Sequence, residues 1–144
     1  MSRGIFVTAT GTDIGKTYVT ALIIKKMCEA GYNAGYYKAA LSGAKRTKDG
    51  LHIGDAYHVK TTAKLNCDCY DMVSYVYETA VSPHLAAKLE GNPATLKKIG
   101  ADYKKQCSKY EYITVEGSGG IICPIRYDNE QQIFLEDIIK ELKL

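Results

Sequence analysis

Apolar residues along the chain fall into two kinds of run. Short apolar or alternating blocks read as strands: Gly4 to Ala9 around Ile5, Phe6 and Val7, then Asn33 to Lys38, then Tyr110 to Val115. Between them, apolar residues recur at helical spacing. Val19, Leu22, Ile23 and Met27 predict a helix from Lys16 to Ala30 that Gly31 stops. Leu96, Ile99, Tyr103 and Cys107 predict another, opened by Asn92-Pro93, and Leu135, Ile138, Ile139 and Leu142 predict an amphipathic helix over Gln131 to Leu142. His52 to Ala63 also reads as helical. Ser82-Pro83 reads as a helix start, since Ser caps well and Pro suits the first helical position. Leu41 to Gly50, rich in Gly, Ser, Lys and Thr, reads as loop. Residues 64–81 give only an extended hint at Val73, Tyr75 and Tyr77.

This alternation predicts an α/β fold, a parallel sheet flanked by helices. Three strands are legible, against ~5–6 in an average sheet. The last element is a helix, where an α/β unit ordinarily returns to a strand. The chain therefore reads either as a domain that ends in a helix or as one that stops short.

Composition narrows the picture. A length of 144 residues fits one domain, and 46 % apolar with 24 % charged residues is close to the globular average. No apolar run approaches the ~18–20 residues of a membrane helix. Met1-Ser2-Arg3-Gly4 is followed by only Ile5-Phe6-Val7, which is not a signal peptide. A net charge of +3 is too mild to argue for a nucleic-acid partner, and Lys45, Arg46 and Lys48 read as solvated loop surface. Cys28, Cys67, Cys69, Cys107 and Cys123 are an odd number without framework spacing, which suits a reduced, cytoplasmic protein. Cys67-Asp68-Cys69 lacks the second pair that a zinc site needs.

The chemistry begins at Thr10-Gly11-Thr12-Asp13-Ile14-Gly15-Lys16-Thr17, between the first strand and the first helix. Gly15 lets the backbone turn tightly, so that successive N–H groups cradle an anion at the positive end of the helix. Lys16 adds a point charge for β- and γ-phosphates, and Thr17 a hydroxyl for Mg²⁺. The spacing is imperfect: Thr10 stands where a phosphate loop has its first Gly. Glu116, at the end of the third strand and before Gly117-Ser118-Gly119-Gly120, sits where open α/β sheets gather ligands. Taken alone, other candidates have plainer readings. Asp55 reads as a helical surface aspartate, Lys38 as a solvated lysine ending the second strand, and Ser82 as a cap. His52, His58 and His84 read as structural or surface residues.

In combination these motifs resemble the dethiobiotin synthetase family. The segments that carry the resemblance are FVTATGTDIGKT (6–17), GYYKAALSG (35–43), GLHIGDA (50–56), SPH (82–84) and VEGSGG (115–120). The resemblance implies a P-loop NTPase-like α/β domain over residues 1–144, incomplete at its C-terminus, and a cytoplasmic homodimer in the full-length form. It implies an ATP- and Mg²⁺-dependent carboxylation of diaminopelargonic acid by carbon dioxide. That reaction runs through a carbamate and a carbamic-phosphoric anhydride. Thr12, Asp13, Ile14, Gly15, Lys16, Thr17, Glu116 and Gly119 would bind the nucleotide. Thr17, Asp55 and Glu116 would surround Mg²⁺. Lys16, Lys38 and Thr12 would be catalytic, and Thr12, Lys38, Ser42 and Ser82 would line the diamine site.

The sequence departs from the family pattern at Ala39, where proline is common, and at Ala9 and Gly11, where the family often has Gly and Asp. It also ends before the family's adenine-recognising and dimer-forming segments. A related amide-forming synthetase of corrinoid metabolism and an inactive nucleotide-binding fragment are the alternatives. A partitioning ATPase is disfavoured because Gly11 stands near the place of that group's signature lysine.

Overall fold

The computed structural model describes residues 2–144. Four strands form the central sheet: β1 (Arg3–Val7), β2 (Ala34–Leu41), β5 (Val73–Val76) and β6 (Tyr112–Glu116). Their order is β1-β6-β2-β5 and every pairing is parallel. Two small antiparallel hairpins stand outside it: β3 (Lys45–Thr47) with β4 (Gly50–His52), and β7 (Pro124–Tyr127) with β8 (Gln132–Phe134). The helices are α1 (Lys16–Glu29), α2 (Gly54–Ala63), α3 (Pro83–Leu89), α4 (Leu96–Lys109) and α5 (Leu135–Leu142), with a 3₁₀ turn at Cys69–Met72. The expected parallel α/β architecture is present.

Every position of β2 is buried, as expected for a central parallel strand covered on both faces. Successive side chains point to opposite faces. Tyr36 joins α1 and α2 in a core with Ala21, Ile24, Ile53, Ala56 and Val59. Tyr37 joins the opposite core with Ile99, Tyr103, Leu135 and Ile138 from α4 and α5. Both cores rely on tyrosines, whose hydroxyls need partners when buried. Tyr37 donates to the Ile99 carbonyl at 3.0 Å and Tyr77 to that of Asn92 at 2.8 Å.

Several boundaries differ from the sequence reading. β2 runs three residues past Lys38, because Ala39, Ala40 and Leu41 continue the buried strand. The expected loop 41–50 holds most of the β3–β4 hairpin. The ambiguous stretch 64–81 holds the fourth sheet strand, β5. In α1 the buried residues are Lys16, Thr20, Ala21 and Ile24, while Val19 and Leu22 are 48 % and 38 % exposed. Small Thr20 and Ala21 sit with Ile24 where α1 meets its neighbours, so Val19 and Leu22 are left outside. Asn92-Pro93 does not open α4. The N-cap is Thr95, whose Oγ1 accepts from the Lys98 N–H at 3.3 Å. Ser82 occupies the cap position of α3 but its hydroxyl makes no cap hydrogen bond. Residues 132–134 pair with β7 rather than coiling, and α5 starts at Leu135, where Asp137 Oδ2 accepts from the Phe134 N–H at 2.9 Å.

Candidate active site

The carboxyl ends of β1, β2 and β6 open into one cleft of about 870 Å³. Thr12, Asp13, Gly15, Lys16, Thr17, Lys38, Ser42, Asp55, Ser82, Glu116 and Gly119 all line it. Of the sequence-predicted site residues, Ile14 alone is not among the lining groups; its side chain is 55 % exposed.

The loop from β1 to α1 forms one wall. Gly15 has φ +100°, left-handed backbone that suits glycine, and it caps α1. The first N–H groups of α1 have no partners within the helix and point toward the cleft end. Lys16 folds back over this loop and donates from Nζ to the Gly11 carbonyl. Burial, together with the neighbouring Lys38 ammonium, holds the Lys16 pKa below its ordinary value.

The floor is built by strand register. Lys38 on β2 lies directly beside Glu116 on β6. Lys38 Nζ donates to Glu116 Oε1 at 2.8 Å and to Asp55 Oδ2 at 2.7 Å, the latter from the first turn of α2. Thr17 Oγ1, in the first turn of α1, also donates to Glu116 Oε1, at 2.7 Å. Burial alone would depress the Lys38 pKa, but Glu116 and Asp55 outweigh it and hold it above the usual value. An ammonium and a carboxylate at 5 % and 2 % exposure are compatible with folding only as such a paired, hydrogen-bonded set.

The solvated-lysine reading of Lys38 is therefore corrected: it is inside the strand and clamped by two acids. Asp55 is likewise engaged rather than a free helical surface acid, while Glu116 lies in the cleft as expected. Ser82 is corrected from a capping residue to one with its hydroxyl uncommitted at the cleft rim, near Ala80 and Val81.

Some contacts around the cleft had no sequence signal. Ser118 donates to the Ala40 carbonyl at 2.6 Å and ties the Gly117–Gly120 loop to β2. Gly119 (φ +66°) lies against Cys123, whose thiol pKa burial pushes up despite Lys16 nearby. His58 lines the cleft one turn beyond Asp55, with its ring centroid 6.5 Å from that of Tyr18; the surface reading of His58 missed this. The spacing from Asp55 to His58 was the available clue. Tyr36 was also missed, although it stands two residues before Lys38 on the same strand. His52 packs against Tyr57 instead, with tilted rings whose centroids lie 4.9 Å apart, and His84 Nδ1 is buried without a partner among the described residues. Arg46 of the basic loop cluster pairs with Glu78, its Nε 3.0 Å from Oε2.

The donor set favours a hard cation. Thr17 Oγ1 and the two carboxylates are oxygen ligands, and among the described residues no three His, Cys, Asp or Glu side chains converge as a closed metal cage. Mg²⁺ suits this arrangement, since it is commonly held by one or two carboxylates together with phosphates and water. The cleft thus brings together the glycine-capped start of α1, two lysines, two carboxylates and the Thr17 hydroxyl. Among the described residues no helix is long and apolar enough to cross a membrane.

Comparison with known proteins agrees with the geometry. The chain is 60 % identical over 145 residues to the ATP-dependent dethiobiotin synthetase BioD of Brachyspira hyodysenteriae. It is 59 % and 56 % identical over 144 residues to the proteins of that name in the Loch Maree and Eklund 17B strains of Clostridium botulinum. Each alignment covers the whole of this chain and 63 % of the relative's length. A family model described as an AAA domain matches residues 3–144, and the chain belongs to that family.

Proposed function

We propose that the cleft carries out the ATP- and Mg²⁺-dependent carboxylation of 7,8-diaminopelargonic acid with carbon dioxide, closing the ureido ring of dethiobiotin. The observation that carries the reading is Lys38, buried between Asp55 and Glu116 with Thr17 and Lys16 beside it, in a chain similar along its whole length to named dethiobiotin synthetases.

The reaction joins three anionic groups: a carbamate formed on the diamine, the γ-phosphate, and the departing ADP. Their repulsion is the barrier, and preorganised positive charge is the largest catalytic term available. The backbone N–H groups from Thr12 to Thr17 hold the phosphates at the start of α1. Lys16 releases the Gly11 carbonyl and turns to the γ-phosphate. Lys38 lies opposite, able to meet the carbamate oxygens. Thr17, Asp55 and Glu116 would hold Mg²⁺, which neutralises phosphate charge when bound. Ser42 and Ser82, with Thr12, line the space left for the diamine. The second amine then attacks the carbamoyl carbon, and phosphate departs. No side-chain nucleophile is required. In this reading Ile14 contributes backbone only. In this reading the described residues belong to one P-loop α/β domain, and the full-length form is a cytoplasmic homodimer, which light scattering and cell fractionation address.

The test is phosphate release from ATP as diaminopelargonic acid and bicarbonate are added in turn. The reading expects release that needs both. Hydrolysis indifferent to the diamine, or stimulated only by a cobyrinate acid, would refute it.

A further inference from the structure

Glu116 is held by two different kinds of neighbour. Its Oε1 takes the two groups that face the cleft, Thr17 Oγ1 at 2.7 Å and Lys38 Nζ at 2.8 Å. Its Oε2 is turned the other way, into the core, and takes the hydroxyl of Tyr36 at 2.8 Å. Tyr36 does not line the cleft. It lies on β2 two residues before Lys38, on the same face, with 1 % of its surface exposed, and its ring is fixed in the core beneath α1 and α2. Lys38 and Tyr36 therefore approach the same carboxylate from successive positions of one strand, from the cleft side and from the core side.

This arrangement does more than satisfy a buried oxygen. A carboxylate can rotate about its last bond and offer either oxygen, or both, to a cation. With Oε2 anchored to a phenol whose ring cannot move, Glu116 offers Oε1 alone, aimed at Thr17. Partners that orient a ligating group in this way commonly matter for metal affinity nearly as much as the ligands do.

We propose that Tyr36 is the positioning residue for Glu116: its hydroxyl fixes the carboxylate so that one defined oxygen meets the cation of a bound metal–nucleotide complex. The inference rests on the Mg²⁺–ATP reading of the cleft. Tyr36 itself touches neither metal nor substrate.

The experiment is calorimetric titration of ATP into the chain and into Tyr36→Phe, each with excess Mg²⁺ and again with a chelator. The informative quantity is the gain in affinity that Mg²⁺ confers. Tyr36→Phe is expected to shrink that gain about tenfold and to leave metal-free ATP affinity unchanged. A purely structural role would lower Tm, or weaken ATP binding equally in both conditions. Either result with the Mg²⁺ gain intact overturns the positioning role. If Tyr36→Phe does not fold, 4-aminophenylalanine at position 36 keeps the size with a weaker donor. Its expected loss of the Mg²⁺ gain is about twofold to threefold, and no loss overturns the proposal. Failure of the unaltered chain to bind ATP, or an ATP affinity that Mg²⁺ does not change, overturns the cleft reading and the role of Tyr36 with it. An intact Mg²⁺ gain in Tyr36→Phe overturns Tyr36 alone.

Discussion

Lys16 and Lys38 look alike in the sequence and are built into the molecule in different ways. Lys16 makes its side-chain hydrogen bond to a loop carbonyl, so the fold depends on it little. Lys38 compensates two acids, one of them almost fully buried. The two lysines should therefore separate in mutagenesis. Lys16→Gln is expected to lower turnover by about 10²–10³-fold with a nearly unchanged urea midpoint. Lys38→Gln is expected to lower turnover as well and to cost about 3–5 kcal/mol of stability, since it leaves buried carboxylates uncompensated. Equal stability losses for the two variants would contradict the distinction. The residue types of the site were legible from sequence, because a Gly-Lys-Thr after a strand has few other uses. The bonding of Lys38 was not legible. Its partner Glu116 lies 78 residues away, and only the β2–β6 register brings them side by side.

Elements differ in how much of themselves they write into the sequence. β1, β6 and α4 carry enough apolar residues to show their period, and each exists with the expected type, although its ends shift by a few residues. The hairpin strands β3, β4 and β8 have three residues each, too few to display an alternation. β5 is four residues long and half of it is only partly buried. In α1, helical type was legible but the buried face was not, because Lys16, Thr20 and Ala21 share it with a single large apolar residue, Ile24.

Helix α4 offers two tests at this scale. Removing its cap with Thr95→Ala is expected to cost about 1 kcal/mol in urea denaturation without altering ATP binding. Asp102 docks α4 to β5 by accepting from Ser74 at 2.9 Å, and it also accepts from Lys98 and Lys105. Partial burial pushes its pKa up, but the bonds from Lys105, Lys98 and Ser74 outweigh this and hold it at about 2, against an ordinary 3.8. A depressed folded pKa stabilises above the unfolded value and loses that stabilisation as pH falls through the folded one. Asp102→Asn should therefore cost about 0.5–1 kcal/mol near neutrality, with the deficit fading between roughly pH 4 and pH 2. A deficit independent of pH would point to lost packing instead.

On the scale of the whole molecule, the sheet gathers the site groups at one end. Thr17 comes from α1, Lys38 from β2, Asp55 from α2 and Glu116 from β6. A ligand that engages them joins elements from both ends of the sequence, so binding should stabilise the chain as a unit. At a hundredfold excess over Kd, Mg²⁺–ATP is expected to raise Tm by roughly 10 °C, and Lys16→Gln should abolish most of that shift. A shift confined to one probe, or unaffected by Lys16→Gln, would place the nucleotide elsewhere. The parallel α/β class was legible from the strand–helix alternation. The strand order was not, because β6 inserts between β1 and β2, which are consecutive in the central sheet's chain order. The chain spans 63 % of the length of the curated relatives it matches.

The central claim is that the γ-phosphate is transferred to an oxygen that came from carbon dioxide. It is tested most directly by supplying C¹⁸O₂ with ATP, Mg²⁺ and diaminopelargonic acid and weighing the released phosphate. Each ring closed is expected to release phosphate with one ¹⁸O atom. Phosphate without ¹⁸O, its fourth oxygen drawn from solvent, would mean that water, not a carbamate, takes the phosphoryl group.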